Sequence, residues 1–94
     1  MALQLTESFI KKVQAPSSGN LLYFDLHRDA PRGFGLRVTW KGTKSFILRY
    51  RPDGRDRLLT IGQWPDWSLT KARFEASQKR RDTTATAEEN QIIN

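Results

Sequence analysis

The sequence has no cysteine, so neither a disulfide framework nor a thiolate metal site can form. Histidine occurs once, at His27, and without cysteine a single imidazole cannot complete an acid, base and nucleophile set. No catalytic residue and no cofactor are therefore expected. Long apolar runs are missing as well, and the opening "MALQLTESFI" turns polar within six residues. Neither a secretory signal nor a membrane span is expected, which predicts a cytoplasmic domain with no membrane partner. Acidic residues are scarce: 10 Asp and Glu stand against 16 Lys and Arg, a formal charge of +6.

That charge is unevenly placed. Residues 28–57 carry nine basic residues (Arg28, Arg32, Arg37, Lys41, Lys44, Arg49, Arg51, Arg55 and Arg57) and three acidic ones (Asp29, Asp53 and Asp56). Everything outside this segment cancels, seven against seven. A single cationic segment favours a polyanionic partner over a generally basic, soluble surface. The 94 residues, 37% of them hydrophobic with three Trp and five Phe, suffice for one modest core in one folded domain.

Local patterns give the elements. "LTESFIKKV" predicts a short helix with Thr6 as N-cap, Glu7 in its first turn, Lys11 and Lys12 in its last, and Leu5, Phe9 or Ile10, and Val13 inward. Pro16 and Gly19 then favour a loop. "LLYFDLH" predicts a strand with Leu22, Phe24 and Leu26 on one face and Tyr23, Asp25 and His27 on the other. Phe34, Leu36, Val38 and Trp40 alternate with Gly35, Arg37, Thr39 and Lys41 in the next, before a hairpin turn at Gly42. "KSFILRYR" sets Phe46, Leu48 and Tyr50 against Ile47, Arg49 and Arg51, and "RPDGR" is a turn. In "RDRLLTIG" Leu59 and Ile61 pair inward with Arg57 in phase, while Leu58 and Thr60 fall opposite, which suggests a bulge near Arg57. After "QWPDW" a second helix is predicted, N-capped by Ser68, with Leu69, Ala72 and Ala76 as a narrow apolar stripe and an end near Asp82. Residues 1–82 would form the domain and residues 83–94 a flexible tail or linker.

The expected fold is α+β: a small antiparallel sheet of three to four strands against a C-terminal helix, with a short N-terminal helix. Its other face needs no cover if it is charged. Arg37, Thr39, Lys41, Arg49 and Arg51 would stand out together there, with Lys44, Arg55 and Arg57 at the hairpin ends. A two- or three-stranded ribbon fits the DNA major groove, where Arg meets guanine O6 and N7 and Thr meets a base edge or a thymine methyl, while Lys meets phosphates. Outward Arg and Lys also keep any half-exposed sheet soluble. The nine-to-three imbalance weighs against that plainer reading, since an ordinary solvated sheet mixes both signs.

The stretch "FDLHRDAPRGFGLRVTWKGTKSFILRYRPDGRDRLLTIGQWPDWSLTKAR" resembles the N-terminal DNA-binding domain of prophage and genomic-island integrases of the tyrosine recombinase family. The residues that carry the likeness are Asp25, Gly33, Phe34, Arg37, Val38, Gly42, Lys44, Ser45, Phe46, Tyr50, Arg51, Gly54, Gly62, Ser68, Leu69, Ala72 and Arg73. "LTESFIKKVQAP" resembles the family's opening helix and Pro loop, so the likeness runs over roughly residues 5–76. It implies a sheet backed by a C-terminal helix, binding double-stranded DNA at arm-type attachment sites with the sheet in the major groove. It also implies a parent that is a tyrosine recombinase, whose catalytic domain lies outside this chain. Two departures stand out. Lys71 replaces the Glu that often completes a capping box after Ser68, which predicts a less well capped helix. "SQKRRDTTATAEENQIIN" does not continue toward the family's Gly-Asp-Pro turn and core-binding domain.

Other features admit two readings each. Asp25, His27 and Asp29 alternate and could converge on a divalent ion, although such triplets are common on surface strands and no metal is expected. Trp40, Trp64 and Trp67 fit core and edge packing, with Trp64 and Trp67 joining sheet to helix; they also fit stacking on unpaired bases or a protein-contact patch. The last reading makes the chain an interaction module for other proteins of a recombination complex. In "KARFEASQKRR" the basic residues Lys71, Arg73, Lys79, Arg80 and Arg81 serve either the helix dipole or phosphates beside the sheet. In isolation the domain is expected to be a monomer.

Overall fold

Hydrophobic spacing and capping residues place the elements much as these patterns require. The computed structural model describes residues 2–51 and 54–79. Ala2–Leu3 forms β1 and Glu7–Lys12 forms the helix α1. Thr6 caps α1, its hydroxyl accepting from Phe9 N at 3.0 Å. Leu5 and Ile10 are buried, and Phe9 and Val13 pack beside them. Four longer strands follow: β2 (Asn20–Asp25), β3 (Phe34–Thr39), β4 (Lys44–Tyr50) and β5 (Arg57–Gln63). They lie in the order β1-β2-β3-β4-β5. The last four are antiparallel neighbours, and β1 adds parallel to β2. This fifth strand extends the expected three to four; two residues are too short to show any alternation.

A second helix, α2, is described over residues 69–79. Its stripe of Leu69, Ala72 and Ala76 is buried in one cluster with Tyr23, Phe34, Leu36, Val38, Phe46 and Leu48. Phe34 and Phe46 stack with ring centroids 5.8 Å apart, and complete burial of each stabilises the fold by about 1.5–3 kcal/mol. Alanine at two of the three stripe positions lets the helix axis approach the sheet closely enough to seal these rings from water.

Three details go beyond or correct the sequence-based picture. In β2, whose two faces the sequence separated without saying which is covered, the covered set is Tyr23 and Asp25, both buried, and not the more apolar Leu22, Phe24 and Leu26, the last of which is exposed. Asp25 goes inward because it finds partners there. Its Oδ2 accepts from Arg73 Nε at 2.7 Å, and its Oδ1 accepts from Leu5 N and His27 N at 3.0 Å each.

The irregularity in β5 lies opposite Phe46 and Ile47, not near Arg57. Arg57 pairs with Tyr50 in regular register and stays in phase with Leu59, which pairs with Leu48. The α2 N-terminus is also better held than Lys71 implied. Ser68 Oγ accepts from Lys71 N at 3.1 Å, and Glu7, reaching across from α1, accepts from Leu69 N at 2.6 Å and from Trp64 Nε1 at 2.9 Å. A carboxylate from another helix thus supplies the anion that a capping box would have supplied from within.

Gly33 lies at the start of β3 with φ +91, and a Cβ there would strike the backbone carbonyl of Arg49. Only glycine admits both that angle and that approach. The turn residues Pro52 and Asp53, the basic pair Arg80 and Arg81, the expected helix end near Asp82 and the tail over 83–94 lie outside the described residues.

Candidate nucleic-acid interface

The pleat that sends Phe34, Leu36, Val38, Phe46 and Leu48 toward α2 sends the intervening residues to the opposite, open face. Cross-strand pairing orders that face into rows. Leu22, Arg37, Ser45 and Gln63 form one row, and Phe24, Gly35, Ile47 and Thr60 the next. Arg49 pairs with Leu58 in a third. Thr39 faces the same way beside Asn20.

This face is not simply charged. Ile47 is fully buried although it lies on the face opposite α2, and Ser45 is nearly so. The Phe24 ring lies over Gly35, whose missing side chain leaves it room, and the Arg49 guanidinium carbon sits 5.4 Å from that ring's centroid. Arg37 Nη2 donates to Thr60 Oγ1 at 3.3 Å. Arginine stems cover an apolar floor; the Arg49 head remains at the surface, whereas Arg37 Nε is buried without a hydrogen-bond partner. The result is a pair of forked donors held by neighbours rather than waving in solvent, and this lowers the entropy lost when they grip a partner.

Arg51 directly follows β4 and joins Arg49 through Asp56. Arg51 Nε donates to Asp56 Oδ1 at 2.5 Å, and Arg49 Nη2 lies 3.7 Å from Asp56 Oδ2. The hydrogen bond from Arg51, helped by the nearby charges of Arg51 and Arg49, holds the Asp56 carboxyl below its ordinary range. The same bond raises the Arg51 guanidinium further. Sequence reading missed Phe24, Thr60 and Asp56 as parts of this surface. The signal for Asp56 was its place just across the Gly54 turn from Arg51.

The remaining expected site residues are spread around this face. Lys41 is exposed in the β3–β4 turn with its ammonium 5.3 Å from the Trp40 ring centroid. Arg55 is exposed before β5; Arg57 is exposed at its start but stands on the helix side of the sheet, in phase with Leu59, and so off the open face. Lys44 does not join them. It shares the pleat side of Phe46, and its Nζ donates to Ile10 O at 2.7 Å and Lys11 O at 3.2 Å, closing the C-terminal end of α1. Lys44→Met should therefore destabilise the domain by about 1–1.5 kcal/mol in urea denaturation while leaving the salt dependence of DNA binding unchanged. A shallower salt slope with unchanged stability would return Lys44 to the interface.

Arg73, one of the basic residues considered for phosphates, is committed to Asp25 and to Leu5 O, the latter at 2.8 Å. Trp64 and Trp67 are half-buried in the joint between sheet and helix. Trp64 donates to Glu7 and Trp67 packs on Gly62, so neither is available as an open patch; Trp40 is 55% exposed. Asp25 spends its oxygens on Arg73 and two backbone N–H groups, and His27 Nδ1 accepts from Asp29 N at 3.0 Å. Among the described residues no group of three His, Cys, Asp or Glu side chains could hold a metal ion, and no helix is long and apolar enough to cross a membrane.

Over 50 residues the chain is 40% identical to an integrase of Shigella phage Sf6 and, equally, to the prophage integrase IntS of Escherichia coli strain K12. Each match covers 53% of this chain but 13% of the relative. A family model described as an arm DNA-binding domain matches residues 5–89. On the strength of that match, which spans both helices and β2–β5, the chain belongs to the arm DNA-binding domain family.

Proposed function

We propose that the domain binds double-stranded DNA sequence-specifically, at arm-type attachment sites, with the open face of the sheet in the major groove, as the N-terminal part of a phage-type integrase whose catalysis is that of a tyrosine recombinase. The observation that carries this reading is the pairing of Arg37 and Arg49 on one uncovered face, each held by a neighbour, with Thr39 and Thr60 beside them. A β-ribbon is narrow enough to enter the major groove, and guanidinium forks match guanine O6 and N7. Arg37, Thr39 and Arg49 face bases, while Arg51 just past β4 and Lys41, Arg55 and Arg57 on the turns and strand ends meet phosphates.

The membership of the family and the 40% identity to two integrases support this reading independently of the geometry. Fluorescence anisotropy with a labelled duplex tests it. If about five phosphates are engaged, log affinity falls against log salt with a slope of about −4.5, a loss of about 500-fold between about 50 and about 200 mM. An interaction that ignores salt and excess unlabelled duplex would refute it.

A further inference from the structure

Where β3 begins and β4 ends, the sheet opens into a cleft of about 490 Å³ lined by Arg32, Gly33, Arg49, Arg51 and Asp56. Among the described lining residues three guanidinium groups face one carboxylate. The carboxylate already occupies two of the three cations, at 2.5 Å from Arg51 and 3.7 Å from Arg49. These partners are all open to solvent: 46% of the Asp56 side chain is exposed, 51% of Arg49 and 72% of Arg51. Gly33 gives the cleft a backbone wall, and its carbonyl accepts from Arg49 N at 2.8 Å, which anchors the strand that carries the two arginines.

We propose that this cleft seats a backbone phosphate of the bound duplex against Arg32 and Arg51, and that Asp56 is the resident competitor, released when the phosphate arrives and leaving Arg49 free for its base. The proposal rests on the DNA-binding reading and adds to it the seat and its internal rival. A carboxylate and a phosphodiester present the same chemistry to a guanidinium fork: one negative charge shared over two oxygens. Ion pairs this exposed are weak and exchange readily, so the pair does not lock the cleft. Asp56 is ionised at neutral pH like any ordinary carboxylate, and the Arg51 hydrogen bond favours that charged form further. It therefore repels an approaching phosphate until it is displaced. Arg55 and Arg57 flank it in sequence, which keeps the segment cationic once the carboxylate has let go.

Asp56→Asn tests the competition, with Asp66→Asn as a control that removes the same charge from the β5–α2 connection. Affinity for a duplex of about 20 base pairs should rise about two- to fivefold in Asp56→Asn, and the log–log salt slope should steepen by about 0.9. Asp66→Asn should change both by less. In the unmodified domain the Arg51 Nε–H resonance should shift on duplex addition and not with inorganic phosphate at matched ionic strength. Asp56→Asn binding equal to or weaker than the parent would overturn the proposal, because the carboxylate would then merely hold the arginines in place. An equal Nε–H shift with inorganic phosphate would make the cleft a free-anion site and overturn the duplex assignment. If the parent domain binds no duplex at all, the broader DNA reading fails first and carries this one with it.

Discussion

Arg73→Ala should cost the domain about 3–5 kcal/mol of unfolding free energy in urea denaturation. The side chain of Asp25 is fully buried and that of Arg73 is 13% exposed, so deletion strands a desolvated carboxylate without its cationic partner. The loss is not local. Arg73 on α2 also donates to Leu5 O, and Asp25 on β2 accepts from Leu5 N, so this one pair joins the segment leading into α1, the sheet and the long helix. A domain of this size has a total stability of only about 4–12 kcal/mol, which places the variant close to unfolding without denaturant. Asp25→Asn combined with Arg73→Met should recover part of the loss, because two neutral groups leave no unpaired charge. Full stability in Arg73→Ala would show that the pair holds nothing together.

Arg49→Ala should weaken binding to a duplex selected from a random pool by about 5- to 150-fold, equivalent to about 1–3 kcal/mol, and blur sequence preference at one position. Binding to unselected duplex should suffer much less. Arg49→Lys should not restore preference, since an ammonium cannot make the bidentate contact. The Phe24 ring beneath Arg49 is a reason to measure stability alongside affinity, because alanine also uncovers that ring. Equal losses on every sequence would move Arg49 from base reading to phosphate contact. Arg37→Ala should behave in the same way, leaving Thr60 without its donor.

Much of this architecture was legible where hydrophobicity alone decides. Phe34, Leu36 and Val38 alternate without interruption, as do Phe46 and Leu48, and all five are buried on the helix side. That parity placed Arg37, Thr39 and Arg49 together on the other side. At β2 the alternation held but did not say which face is covered: Tyr23 and Asp25 turn inward because of Arg73, 48 positions away. Alternation registers oiliness, not a distant counter-charge. Glu7 was read as a dipole partner of its own helix, whereas its carboxylate caps α2; such a bond, 62 residues long in sequence, leaves no local trace. Lys44 is the opposite case. Its phase with Phe46 already assigned it to the covered side, but its length and charge suggested a phosphate, and only the carbonyls at the end of α1 show where it goes. The apolar floor of Phe24 and Ile47 was missed because a charged face was expected to need no cover.

The most direct test follows amide and arginine side-chain resonances while duplex is added. The account predicts that the largest shifts fall on Arg37, Thr39, Ile47, Arg49 and Thr60, the residues that share the open face across β3, β4 and β5, with α2 nearly silent. Shifts concentrated on residues 69–79, with the sheet unmoved, would contradict it.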